Sequence, residues 1–151
     1  MKAPDVAPRL SPPPARWLLA TLCAAVALTA IAGGAALMLG PDGSLIHASR
    51  AVLEHTPFGS FLVPGAILFV LVGMSNALAA AQILRHTPDA NSTAVVAGVA
   101  LFGWILGEMV MLRTIEPLQI GYLVVALAIV GAALRRRARA PAPRILGTAT
   151  R

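Results

Sequence analysis

The chain has 151 residues, 58% hydrophobic and only 12% charged, with a mean hydropathy of +0.79 and a net charge of +6. A soluble domain carries about 25% charged residues, so this balance excludes an ordinary water-soluble domain and points to an integral membrane protein. The single cysteine, Cys23, excludes an internal disulfide and a Cys-x-x-Cys redox pair, and is expected to pack as a small hydrophobe.

Residues 1–16 hold Pro4, Pro8, Pro12, Pro13 and Pro14 among Lys2, Arg9 and Arg16. They read as a disordered, polyproline-like cytoplasmic tail. The first predicted span is 17–39. Ala30-Ile31-Ala32 resembles a signal-peptide cleavage site, but the apolar run continues to Leu39 and three more follow, which favours an uncleaved helix.

Residues 40–60 form the longest connection. Gly40-Pro41-Asp42-Gly43 is a turn signal. Beyond it Leu45, Ile46, Ala48, Val52 and Leu53 fall near one helical face and His47, Arg50 and Glu54 near the other, predicting a short amphipathic interfacial helix between the first two spans. His47, His55, Asp42 and Glu54 have no metal-ligand spacing, so no metal is expected.

The second span is predicted at 61–84, with Pro64 in its first turn and Ser75, Asn76 and Gln82 toward its end. Such polar side chains hydrogen-bond between helices or line a polar path. The third span, at 93–112, is preceded by the cap candidates Asn91, Ser92 and Thr93. The fourth, at 117–134, starts at Pro117 and stops at Arg135-Arg136-Arg137-Ala138-Arg139, after which residues 135–151 form a basic tail. Four spans and one amphipathic segment define the expected fold as an all-α four-transmembrane-helix bundle.

The positive charge sits beside the spans. With the N-terminus inside, ten basic residues fall on the inner side and two, Arg50 and Arg113, on the outer side. This bias predicts that both termini are cytoplasmic; with the preference for Arg over Lys and the abundance of Ala, Gly and Pro, which suggest a bacterial source, a multi-pass protein of a bacterial inner membrane is expected. The expected contacts are then the lipid bilayer, anionic lipids at the basic tails, with Arg135, Arg136, Arg137 and Arg139 as head-group anchors, and a second copy or another membrane protein. Nucleic acid is not expected.

One carboxylate interrupts the third run. Glu108 lies four residues before that span ends, roughly 6 Å inside the outer boundary. Ionisable groups are expensive in hydrocarbon, about 2.5–3.5 kcal/mol for Asp at a helix centre. Trp104 is on the same helical face, and Gln119 and Tyr122 begin the fourth span at the same level, so Trp104, Glu108, Gln119 and Tyr122 form a candidate polar intramembrane cluster. Gly103 and Gly107 form a small-xxx-small pair expected to bring a neighbouring helix close. Glu108 reads either as a proton carrier or cation ligand, or as a polar lock between helices.

No nucleophile elbow, phosphate loop or zinc-protease motif is present in the sequence. No enzyme and no cofactor is expected. The four-span plan, with Asp42-Gly43-Ser44, Thr56-Pro57-Phe58, Phe61-Leu62-Val63-Pro64-Gly65, Trp104 to Glu108 and Leu118-Gln119 to Tyr122, resembles small, uncharacterised four-helix integral membrane proteins of bacteria over residues 17–134. That resemblance implies no activity. The small multidrug transporters are similar in length and helix count, but carry their essential carboxylate in the first span, which has none here. The short DoxX-like proteins are similar in architecture alone. The leading expectation is a non-enzymatic packing or accessory component of the membrane; the alternative is a small proton- or cation-coupled transporter using Glu108.

Overall fold

In the computed structural model, residues 13–47, 53–54, 56–113 and 115–139 are described. They form four long helices and no strand. α1 is Pro13–Leu39, α2 is Leu62–Leu84, α3 is Ala90–Leu112 and α4 is Pro117–Ala138. Each contains a stretch long and apolar enough to cross a membrane. In hydrocarbon every backbone N–H and C=O must be paired within the chain, and continuous helices achieve this.

The helices run up and down in sequence, with each packed on the next and α1 meeting α4 to close the bundle. One end holds the start of α1, the 85–89 turn and the end of α4, and is called the terminal end. The other holds the connection between α1 and α2 and the 113–116 turn, and is called the connection end.

Glycine sets the α1–α2 contact. A Cβ on Gly34 would lie 2.7 Å from the Gly65 carbonyl oxygen, and one on Gly65 would lie 2.7 Å from Leu37 Cβ. Further along, a Cβ on Gly73 would reach Ile31 at 2.7 Å. On the α3–α4 seam, Gly98 plays this part against Ala126, Ile129 and Val130. Between these seams lies a core of small and branched side chains, including Leu19, Val72, Ala97 and Ile129. Cys23 is a fully buried free thiol among them.

α2 is not uniformly α-helical. Leu68–Met74 is a π-helical segment between two α-helical halves. The wider turn redirects backbone carbonyls, and side chains just beyond it take them up. The Ser75 hydroxyl donates to the carbonyls of Leu71 and Val72, and Asn76 Nδ2 donates to the Val72 carbonyl at 2.9 Å. Such backbone-directed polar side chains stabilise departures from regular helix.

The turns follow local chemistry. In the connection, Asp42 Oδ1 accepts from the Ser44 backbone N–H and hydroxyl, Gly43 takes φ 86°, and the Phe61 N–H donates to the Pro41 carbonyl. The amphipathic helix expected there is not shown: the described residues include a 3₁₀ turn, Ser44–Ile46, ended by His47 at φ 54°. Residues 48–52 and His55 lie outside the described set, as do residues 1–12 and 140–151 of the two tails. At 85–89, His86 has φ 58°, its N–H donates to Ile83 O, and the Thr87 N–H donates to Gln82 O, which is a Schellman ending without the usual glycine.

α3 starts earlier than the cap candidates suggested. Asp89 is its N-cap residue without a side-chain cap bond, and Thr93 donates its hydroxyl back to the Asp89 carbonyl. Asn91 bonds elsewhere: its Oδ1 accepts from Arg136 Nε at 3.1 Å, tying the start of α3 to the end of α4. α4 accordingly continues through the arginine run to Ala138, where cations are favourable against the helix C-terminus.

Candidate functional site

The site is built on α3. Its turns place Trp104 and Glu108 four residues apart on one face, and the indole Nε1–H donates to Glu108 Oε1 at 2.9 Å. This is the hydrogen bond to the Glu108 carboxyl. Gln119, which the sequence offers as a partner, is engaged locally at the start of α4. The Glu116 N–H donates to Gln119 Oε1 at 3.0 Å and the Gln119 N–H donates to the Glu116 side chain, a reciprocal capping box. Gln119 is 7% exposed and Tyr122 is half-buried.

Two cavities meet at the Trp104–Glu108 pair. The inner one, about 160 Å³, lies between all four helices. Trp104, Glu108, Gln119 and Tyr122 all line it, with Thr29 of α1 opposite and Val26, Leu68, Val72 and Leu101 as apolar wall. The outer one, about 450 Å³, is bounded by α2, α3 and the connection, with Leu37 of α1 and Leu53, Thr56, Phe58, Phe61, Ile67 and Met111 in its lining. Trp104 and Glu108 are common to both. Glu108 thus faces a small polar-edged cavity on one side and a larger apolar groove on the other.

Within the described residues no helix lies close against Gly103 and Gly107: a Cβ built on either meets nothing within 4 Å. They line the outer cavity instead. The missing side chains leave room along α3, while close approach falls to Gly34, Gly65, Gly73 and Gly98.

Deeper toward the terminal end, Asn76 is fully buried. Its Nδ2 also reaches the Ala97 carbonyl of α3 at 3.4 Å, while Oδ1 has no hydrogen-bond partner. Gln82 Oε1, Arg16 Nε and Arg136 Nη1 are also buried without partners among the described residues. The Arg16 guanidinium lies 5.2 Å from the Trp17 ring centre, a cation–π distance. Of the arginines at the end of α4, Arg135, Arg137 and Arg139 are exposed, and Arg136 is half-buried and held by Asn91.

Sequence reasoning missed the π segment, the place of Thr29 in the lining of the inner cavity and the Asn91–Arg136 tie. The adjacent pair Ser75-Asn76 in mid-span was the available signal for the first. The others depend on which helices are neighbours. No group of three or more metal-ligating side chains occurs among the described residues.

Within the described residues the chain is an all-helical protein with four potential spans, matching a multi-pass membrane protein by length and composition. Comparison with models of protein families, with curated proteins and with solved structures finds no match for it.

Proposed function

We propose that the protein is a non-enzymatic component of a bacterial inner membrane, with both termini cytoplasmic, that works as a small proton- or cation-coupled transporter with Glu108 as its exchanging carboxylate. The orientation rests on the ten-to-two distribution of basic residues. It puts the connection end, with exposed Leu45 and Ile46, at the extracytoplasmic surface, where a short amphipathic segment suits the interface. Exposed Arg135, Arg137 and Arg139 then meet anionic head groups on the other side.

The observation that carries the reading is the position of Glu108 between two cavities. A carboxylate that only locked helices together would be used up by partners on the neighbouring helix. Here its bond is to Trp104 on its own helix, and its surroundings include open space on both sides. An intramembrane ionisable group facing a cavity is the usual mark of a substrate or ion pathway.

Protein reconstituted in liposomes tests this. A pH gradient is expected to drive counter-movement of a co-substrate cation, reported by an internal pH dye. Glu108→Gln abolishes the response and Glu108→Asp retains part of it. Wild-type flux in Glu108→Gln refutes the carrier reading.

A second reading, a packing or accessory component, is favoured by glycines with open space where a side chain would stand. Gly103 and Gly107 on α3 and Gly121 and Gly131 on α4 leave small-residue surface open to a second copy or a partner helix. Cross-linking through cysteines introduced at Gly121 and Gly131 into one discrete product, with no flux, supports this reading over the first.

A further inference from the structure

We infer that the inner cavity is a water-filled chamber, open at the connection end and closed toward the terminal end, through which Glu108 gains and loses its proton. The inference rests on the reading of Glu108 as an exchanging group. It names water as what the chamber binds, and the connection end as the side on which the proton moves.

Room and polarity come first. At about 160 Å³ the chamber holds about five waters, at the roughly 30 Å³ that each occupies in the liquid. Its polar side chains come from three helices: Thr29 of α1, Trp104 and Glu108 of α3, Gln119 and Tyr122 of α4. The hydrogen bonds they make stay within their own helices. Thr29 donates to the Ala25 and Val26 carbonyls, Trp104 donates to Glu108, and Gln119 Oε1 accepts from the Glu116 N–H. The Gln119 amide hydrogens and the Tyr122 hydroxyl have no partner among the described residues. Donors on α4 and acceptor oxygens on Thr29 and Glu108 therefore surround one space without bonding each other. A lipid chain satisfies none of them, and an ion satisfies one sign alone. Water both donates and accepts, and it bridges polar groups set apart in this way.

Sidedness follows from the packing. Leu118, in the first turn of α4, lines the chamber and is 71% exposed, which puts the mouth at the connection end. From Glu108 the lining reaches roughly 10 Å along α3 to the level of Leu101. There the floor is Val26, Val72 and Leu101, all buried. One turn past Val72 stands Asn76, fully buried, its Oδ1 out of reach of solvent and of any donor among the described residues. A carbonyl oxygen so enclosed marks a layer closed to water. Beyond it the terminal half is packed with Cys23, Ala79, Ala94 and Ile129.

The proton step is a transfer between oxygens. The Glu108 carboxyl loses its O–H bond as a chamber water gains one, leaving a carboxylate and a hydrated proton. The excess proton passes from water to water toward the mouth, and the reverse sequence reloads the carboxyl. Gln119 and Tyr122 hold the waters in place and keep their own charge.

Thiol chemistry tests the chamber, because the thiolate is the reacting form and it forms where water reaches. In a Cys23→Ala background an introduced cysteine is the sole thiol. Thr29→Cys sets it in the chamber wall, about 15 Å from the connection end of α1. Leu28→Cys is the control at the same depth, on a surface 72% exposed and outside the chamber lining. Ser44→Cys, at an exposed position of the connection, marks the connection side. Membrane vesicles of both orientations are treated with trimethylammonioethyl methanethiosulfonate, which does not cross bilayers. Thr29→Cys is expected to react at least tenfold faster than Leu28→Cys, and from the side on which Ser44→Cys reacts. The attached group fills the chamber and cuts the proton flux measured before labelling at least tenfold. Circular dichroism and gel filtration check folding; Ala30→Cys, also in the lining, repeats the measurement if Thr29→Cys does not fold. Equal rates for Thr29→Cys and Leu28→Cys, reaction from the opposite side, or full flux after complete labelling overturns the assignment. The expected labelling in protein that carries no proton flux upholds the chamber and sinks the carrier reading. Glu108-dependent flux in protein whose chamber thiol does not react sinks the chamber and spares the carrier.

Discussion

Replacing Gly34 with alanine tests the packing that holds the first two helices. The new Cβ would fall 2.7 Å from the Gly65 carbonyl oxygen and 2.8 Å from both Phe69 Cβ and Phe69 N. Ordinary contact begins at 3.4 Å, so the shortfall is about 0.7 Å. Two of the three atoms met are backbone, which no rotamer change can move. The relief is separation of α1 from α2 by several tenths of an ångström. A gap of 0.5–1 Å forfeits about a quarter to a half of the dispersion energy of the contacts it opens. Overpacking of this kind costs about 1–3 kcal/mol, and the gain from alanine over glycine in a helix returns about 0.5–1 kcal/mol. The expected net loss lies between about 0 and 2.5 kcal/mol, centred on about 1 kcal/mol. Gly103→Ala is the matched control: nothing lies within 4 Å, so only the gain remains. Reversible unfolding in mixed micelles with rising dodecyl sulfate, followed by circular dichroism, measures both. Gly34→Ala should unfold at lower dodecyl sulfate than wild type and Gly103→Ala at equal or higher. If Gly34→Ala is as stable as Gly103→Ala, the close α1–α2 seam is wrong. Gly34 and Gly65 face each other, so their alanine substitutions are expected to be non-additive.

Three further outcomes are expected. Glu116→Ala removes the acceptor for the Gln119 N–H and should lower stability by about 0.5–2 kcal/mol in the same unfolding assay, whereas Glu116→Gln retains most of it. A double-mutant cycle of Asn91→Ala and Arg136→Ala should give a coupling of about 0.5–1.5 kcal/mol from their 3.1 Å hydrogen bond; a coupling near zero removes the α3–α4 tie. His86→Gly relieves a left-handed residue and should raise stability by about 1 kcal/mol, measured by the shift in the unfolding midpoint; a loss of that size contradicts the Schellman geometry.

The apolar runs told most of the fold, because span length and the need to pair backbone groups in lipid leave helix as the outcome. Pro117 marked the start of α4 at the residue where it begins. Ends decided by a contact were less legible. Asn91 looks like a cap in isolation, but Arg136 lies across from it and bonds to it, and α4 runs past the expected stop. The site shows the same division. Depth along the helix put Trp104, Glu108, Gln119 and Tyr122 at one level, and they share one cavity wall. Partner choice was not legible: Gln119 turns to Glu116, three residues away, and Glu108 to Trp104. The glycines carry the clearest lesson. A Gly-xxx-Gly spacing states that two small residues share a face, and says nothing about what that face meets. Gly103 and Gly107 meet open space, while Gly34 and Gly65, 31 positions apart, meet each other.

The π segment gives α2 an unusual tolerance to a change in length. A turn closed by i→i+5 bonds holds one residue more than one closed by i→i+4 bonds. Loss of one residue within Leu68–Met74 is therefore absorbed by tightening that turn, and the two flanking halves keep their facings. The same deletion in α1, α3 or α4 rotates everything beyond it by about 100° and carries apolar contacts off their seams. In descendants of this chain, single-residue insertions and deletions should accumulate in the middle of α2, which is the reverse of the usual rule that membrane helices change length at their ends. The connection end of α2, which walls the outer groove, could then be re-aimed without rebuilding the half that carries Asn76.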